Sequence, residues 1–560
     1  MGESPAISQA ELTAAHSRLW LPAALVFVAI RALPNISYPI ARDQATYCVI
    51  GQGLLEGKHL YIDFWDNRSP GFAYIYALIV KLFGAEMWCV GLVDILWLLA
   101  VSYLIFRFAE RYLGSAAAAV AVVVNAVWHT WAGYWQAAQA ETFLVLFVFG
   151  SFFLMADDGG WPQLRSFAAG ALFAGAFWTK YNSVIFLPLV LLVPYLDAAC
   201  LDAQPPRLRL LIPWRLWLRK ALVFGTGSGA VVAGVLLYFW LVGSWAQFIE
   251  DQFVVLPRYA AMAMERTPNY WLWALNQTFT VLGPWTEAAT GAALLIAWKS
   301  RDLKRLAPIM AAAVLGYASL AVQVRFHAYA FETCNPFFAM IWAYLGLRIF
   351  EGFCTLACSF AARGWRVARV LAWVVFANIA VWPVPVQLLN IVEHYKALGS
   401  WWRQPEAFYA TYPWPNPISH FPDQMRVISY LRQNVKPGDS VFVWGSEPLI
   451  YFLTGTHQPT RFVLNLPLVS PWSPPEWRVE VVRDLEKSPP RFLVVARDDA
   501  IPYIAYHRLD SEQFLQVYPE LAVFISDNYA SVQHFRNFEI YGRRASFPAS
   551  TLVSGASSLR

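Results

Sequence analysis

Arg42-Asp43-Gln44-Ala45-Thr46-Tyr47, continued through Gly51 and Gly57 to Tyr61-Ile62-Asp63-Phe64-Trp65-Asp66-Asn67-Arg68-Ser69-Pro70-Gly71, is the stretch on which the reading of the fold turns. Apolar sequence flanks it at residues 19–40 and 87–108. Each flank is about 20 residues long, the length an α-helix needs to cross the hydrocarbon of a bilayer. A plain connector between two spans has no use for three aspartates, two arginines and several aromatics. The loop therefore marks the class, a polytopic membrane protein, and the first place to look for chemistry.

Composition agrees with that class. Of 560 residues, 58% are hydrophobic and 14% charged, outside the soluble range. A mean hydropathy of +0.42 with 27 Trp and 39 Phe fits a many-spanning chain with interfacial aromatic belts. The net charge of +5 comes in short basic clusters between apolar runs, a topology signal that excludes nucleic-acid binding as the reading. Six cysteines, with no C-x-x-C pair and none after residue 390, give no disulfide framework and no zinc site. The polar start lacks a basic n-region and a cleavage site, so the first apolar run reads as an uncleaved span.

Spans are expected near 19–40, 87–108, 115–132, 140–156, 166–181, 183–197, 220–243, 277–298, 306–323, 332–350 and 367–389, about eleven in all. Basic clusters at Arg207/Arg209/Arg215/Arg219/Lys220, Lys299/Arg301/Lys304/Arg305 and Arg348/Arg363/Arg366/Arg369 set the orientation. With these on the cytoplasmic side, the 41–86 loop, the 244–276 loop and the C-terminal part face outward. Within the first loop, Gln44 to Leu55 and Phe72 to Phe83 read as short helices. The second is too short to span and suits the interface.

The expected domains are 1–390, transmembrane with the loop at 41–86; 391–422, an interfacial linker rich in Trp, Tyr and Pro; and 423–560, a small extracytoplasmic α/β domain. In the last, Asp423 to Asn434 reads as a helix capped by its Asp. Ser440 to Trp444 and Arg491 to Ala496 read as strands, Pro475 to Lys487 as a helix, and Tyr529 to Arg543 as a hairpin. No G-x-G-x-x-G or P-loop follows either strand, which argues against a nucleotide site.

Several residues are candidates for chemistry, each with a plainer alternative. Asp43 is either a functional carboxylate at the mouth of a span or the cap of the helix starting at Gln44. Asp63, Asp66 and Arg68 suit acid/base work or a divalent metal, and equally a loop tied by its own ion pairs. Lys180, at the end of an apolar segment, either snorkels to the interface or neutralises a lipid phosphate. Glu141 complements a helix dipole or serves a site. Arg325-Phe326-His327-Ala328-Tyr329 either positions a headgroup or forms part of the aromatic belt.

The run from Asp43 through Tyr47, Gly51, Gly57, Tyr61-Ile62-Asp63-Phe64-Trp65-Asp66 and Pro70-Gly71 resembles the first outer loop of bacterial C-type (GT-C fold) membrane glycosyltransferases. These are related to protein O-mannosyltransferases and the lipid A aminoarabinose transferase. Ala140-Glu141, Phe177-Trp178-Thr179-Lys180 and the Arg325-to-Pro336 stretch fall in that family's order. Gly438-Asp439 with Val441-Phe442-Val443-Trp444-Gly445 and Tyr451 resembles its outer domain. The resemblance implies transfer of a hexose or pentose from a polyprenyl-phosphate donor to an envelope lipid, glycan or protein. It places the chemistry at the outer face of the inner (plasma) membrane, with inversion. Asp43 matches the key acidic position and becomes the expected general base. Arg68, Lys180 and Arg42 become expected phosphate ligands, while Asp63, Asp66, Glu141, His327 and Tyr329 would bind or orient sugar and acceptor.

Two departures stand out. Gln44 replaces a second acid, so no metal ligand is assigned, although a divalent cation stays open; no other cofactor is implied. Arg68-Ser69-Pro70-Gly71 stands where many members have Lys before Pro-Pro-Gly, and arginine keeps the cation and adds a fork for phosphate oxygens. Two rivals come from other classes: a transporter or flippase of lipid-linked sugars, and a non-catalytic envelope assembly protein. Transporters favour internal repeats and broken helices at the midplane. The sequence has no internal repeat, and its ionisable residues gather at one rim.

Overall fold

The computed structural model describes residues 9–40, 42–131, 133, 136–156, 160–201, 214–381, 383–412, 421–436 and 438–546. The chain forms two compact units, both discontinuous in sequence. One comprises 1–36, 91–234 and 269–398; the other comprises 37–90, 235–268 and 399–560.

The first unit is helical. Among the described residues, five helical stretches are long and apolar enough to cross a membrane, all or most of each lying in this unit: Leu19–Ser37, Met87–Leu113, Trp214–Leu241, Leu303–Ala321 and Asn335–Ala362. Ser115–Trp131, Ala140–Ala156 and Pro162–Thr179 form shorter helices of the same apolar character. Their packing centres on aromatics: Phe149 stacks on Phe337 at 5.1 Å and meets Phe108 edge-on at 5.6 Å.

The expected count of about eleven spans goes beyond these five. Expected span 277–298 is two helices, Tyr270–Leu282 and Pro284–Ser300, parted at Gly283 with φ +74°. Proline has no N–H to continue the first helix and starts the second, where that donor would be unpaired anyway. Expected span 367–389 falls on Arg366–Val381 and the start of Pro383–Arg403, with residue 382 outside the described residues. Expected span 183–197 opens on a 3-10 turn, Tyr181–Phe186, before the Leu187–Leu201 helix. Arg207 and Arg209 of the basic cluster lie outside the described residues.

In the second unit, Arg42–Leu55 and Pro70–Phe83 are the two short helices expected in the loop. They cross closely at Gly51, where a Cβ would lie 2.8 Å from the Ala77 nitrogen. The first begins two residues earlier than read, so Asp43 sits in its first turn and is not its cap. Asp423 is similarly inside the first turn of Phe421–Asn434.

The C-terminal residues carry a four-stranded mixed sheet of β1 Val441–Trp444, β2 Phe492–Ala496, β3 Tyr529–Phe535 and β4 Phe538–Arg543, in the order β1-β2-β4-β3. β1 pairs parallel with β2; β2 with β4 and β4 with β3 are antiparallel. Every residue of β1 and β2 is buried, as for strands covered on both faces.

Space divides the chain differently from composition. The core beside the sheet takes in Trp65 and Val255, from segments far away in sequence. Trp65 lies 6.0 Å from the Trp472 ring and 5.7 Å from that of Trp477, and its backbone N–H donates to the Arg461 carbonyl at 2.8 Å. The boundaries 1–390, 391–422 and 423–560 thus separate residues that share one unit.

Candidate active site

Asp43, Arg42, Asp63, Asp66 and Arg68 belong to the second unit. The loop between its two short helices is built by local bonds. Asp63 Oδ2 accepts from the His59 N–H at 2.7 Å, and the Asp63 N–H donates to the His59 carbonyl at 2.9 Å. Tyr61 takes a left-handed φ of +72° in the same turn, with its N–H on the Phe64 carbonyl at 2.8 Å. Asp63 is a turn-closing residue here.

Asp66 is buried, and its Oδ1 accepts from the Tyr47 hydroxyl at 2.7 Å and the Arg68 N–H at 3.0 Å. Burial raises its carboxyl to about 6, against the lowering effect of those two hydrogen bonds. The Gln252 amide also donates to the Asp66 carbonyl, at 3.0 Å. These bonds aim the next side chain. Arg68 Nη2 meets Asp43 Oδ2 at 2.7 Å, each side chain roughly one-quarter exposed. The Arg68 guanidinium lies over the rings of Tyr47 and Phe72, at 5.4 and 5.7 Å. Pro70 at the first helical position fixes where the loop ends.

Arg42 points to the C-terminal part of the same unit. Its Nε donates to the Ser446 carbonyl at 2.6 Å, and an Nη lies 3.8 Å from Glu447. Glu447 is buried, also takes the Gln424 amide, and is raised to about 8, mainly by burial and in spite of Arg42. Asp251, wholly buried in the same unit, is raised by burial to a similar value of about 8.

Lys180, Glu141, His327 and Tyr329 belong to the first unit. Glu141 lies in the first turn of Ala140–Ala156, buried, and is ion-paired with Lys180 Nζ. Lys180 stands in extended backbone where Pro162–Thr179 gives way to the 3-10 turn. His327 and Tyr329 stack ring on ring at 5.4 Å, at the start of the 3-10 turn Ala328–Thr333.

Sequence reasoning missed one cluster in this unit. His129 lies between two buried carboxylates, with Nε2 3.1 Å from Asp94 and Nδ1 2.5 Å from Glu332. All three sit inside apolar runs, and no short motif joins partners 35 and 203 residues apart. A histidine near the end of an apolar helix was the available signal. Among the described residues no group of three or more His, Cys, Asp and Glu side chains is placed to hold a metal ion.

Comparison with known proteins adds the fold. A family model described as dolichyl-phosphate-mannose-protein mannosyltransferase matches residues 67–214. ArnT from Cupriavidus metallidurans, in its crystal structure bound to undecaprenyl phosphate, superposes with a TM-score of 0.54 at 13% identity. That match covers 94% of this chain and 98% of the other. The apo crystal structure of the same protein gives 0.53 at 14%, covering 96% and 99%. No curated protein matches the sequence. The resemblance to C-type membrane glycosyltransferases is borne out by the family match and by this fold.

Proposed function

We propose that this chain moves a hexose or pentose from a polyprenyl-phosphate carrier to an envelope lipid, glycan or protein at the outer face of the plasma membrane. One observation carries the reading: the Asp43–Arg68 pair, partly exposed and held in place by the Asp66 and Tyr47 bonds. A carboxylate and a guanidinium at that spacing are the two groups the transfer requires. The fold shared with ArnT supports it.

The reaction is a single displacement. The acceptor oxygen attacks the anomeric carbon on the face opposite the phosphate, and its proton passes to Asp43 as general base. The bond from that carbon to the phosphate oxygen breaks, and the electron pair leaves on the polyprenyl phosphate. The configuration inverts. Arg68 has five N–H donors, enough to pair with Asp43 and still bind a phosphate oxygen as charge builds there. Within the first unit, the family resemblance proposes Lys180, ion-paired with Glu141, for a phosphate-binding role. His327 and Tyr329 offer a stacked ring pair for a sugar face. Asp63 and Asp66 act through loop geometry, and Arg42 through its hold on Ser446. The orientation rests on the basic clusters.

The test uses the full-length protein in liposomes with a radiolabelled polyprenyl-phosphate sugar and an envelope extract as acceptor. Asp43→Asn is expected to leave the protein folded and lower transfer by about a hundredfold or more, the scale of a lost general base. Transfer at the wild-type rate by that variant removes Asp43 as base. Movement of the labelled lipid across the bilayer without product removes the enzyme reading.

A further inference from the structure

The Asp94–His129–Glu332 cluster lies wholly within the first unit, and each of its side chains is at most 8% exposed. Its hydrogen bonds are complete. Asp94 Oδ1 accepts from the Ala138 N–H at 2.7 Å, and Oδ2 faces Asn35 at 3.4 Å as well as the imidazole. Glu332 Oε2 accepts from the Thr142 hydroxyl at 2.9 Å.

Counting protons constrains the cluster. A neutral imidazole has one N–H and one lone pair, while an ionised carboxylate has lone pairs only. Both ring nitrogens face carboxylate oxygens, so the trio needs one proton beyond a neutral histidine and two carboxylates. Held on the ring, that proton makes His129 an imidazolium clamped from both sides. Ionisable side chains are rare among membrane-spanning helices and usually serve function.

What the clamp joins is informative. Asp94 belongs to Met87–Leu113, His129 to Ser115–Trp131 and Thr142 to Ala140–Ala156, all helices of the scaffold. Glu332 instead belongs to the short turn Ala328–Thr333, which directly follows His327 and contains Tyr329. A second fastening lies one residue on. The Thr333 hydroxyl donates to the Gly316 carbonyl at 3.1 Å, and a Cβ at Gly316 would lie 2.9 Å from the Cys334 Cα. Cys334 is completely buried beside it.

We infer that Asp94, His129 and Glu332 form a latch that fixes the 325–336 segment on the helical scaffold, making His129 a positioning residue for the sugar or acceptor contacts of His327 and Tyr329. The substrate half of this inference rests on the proposed transfer; the latch itself does not. Removing the ring releases the turn. Replacing Glu332 by glutamine preserves an acceptor for Nδ1 and leaves an amide N–H for the Thr142 oxygen, so the turn stays held.

Cys334 reports the latch without any enzyme assay. In a full-length chain whose other cysteines are replaced by alanine, maleimide labelling of Cys334 in proteoliposomes measures how often the turn opens. His129→Ala is expected to accelerate labelling roughly tenfold or more, and Glu332→Gln to stay within about threefold of the parent. Unchanged labelling in folded His129→Ala overturns the latch. Should that variant not fold, Thr142→Val removes one bond at nearly constant volume, and labelling no faster than the parent overturns it equally. In transfer assays His129→Ala is expected to raise KM for one substrate about tenfold while kcat stays within about threefold. A loss confined to kcat refutes the positioning role. Faster labelling in a protein that transfers no sugar even as wild type upholds the latch and removes the glycosyltransferase reading.

Discussion

At the scale of the residue, Arg68 joins the structural and chemical arguments. Its backbone N–H is bound by Asp66, its head by Asp43, and its plane lies over two aromatic rings. Lysine would keep the charge and lose the fork and the stacking, so the two cations are not equivalent here. Arg68→Lys is expected to retain folding and lower kcat/KM about ten- to hundredfold, with Arg68→Ala lower still; equal activity of Arg68→Lys and wild type contradicts the assignment. Asp43 and Arg68 were legible in the sequence because a charged pair between two apolar runs stands out. The Tyr47 hydroxyl on Asp66 was not, since a tyrosine in an interfacial segment reads first as belt. His129 was less visible again, because its two carboxylates come from distant apolar stretches.

At the scale of the element, the turn after β1 bears on the first helix of the loop. Gly445-Ser446-Glu447 follows the strand directly, and Arg42 reaches it one residue before Asp43. Glu447 is held protonated up to about pH 8 by burial. A carboxyl whose folded value lies above its unfolded one stabilises the fold at low pH, and that stability is lost as pH rises from about 4.5 through 8. The loss approaches about 1.4 kcal/mol per pH unit inside that window. Glu447→Gln is expected to flatten this slope and to melt higher than wild type above pH 8; parallel melting curves from pH 6 to 9 contradict it. Strand and helix bounds in this part were legible to within a residue or two, because alternation and turn residues mark them locally. Helix starts were read two residues late at both Asp43 and Asp423, where an acid of the first turn was taken for a cap at Asp423 and weighed as one at Asp43. The Gly283-Pro284 break carried a clear local signal, which the apolar run around it outweighed.

At the scale of the whole molecule, hydropathy separates what the structure groups. A window average assigns Trp65 to a loop and Trp472 to a distant domain, while the packing places both in one core. The C-terminal domain therefore completes the loop. Deleting residues 421–560 is expected to leave the helical unit in the membrane and expose the loop, with new protease cuts between Glu56 and Arg68 seen by mass spectrometry. Protection of that interval in the truncated chain contradicts the shared core. The bond from Arg42 to the Ser446 carbonyl spans 404 residues of sequence. At roughly 5–20 residues per second of synthesis, the loop waits about 20–80 s for its partner to be made. Over that interval the nascent protein holds Trp65 and the Asp43–Arg68 segment unfinished, while the first helices are already inserting. The order of translation thus makes the synthesis of residues 421–560 a timer on the maturation of a site encoded about 400 residues earlier.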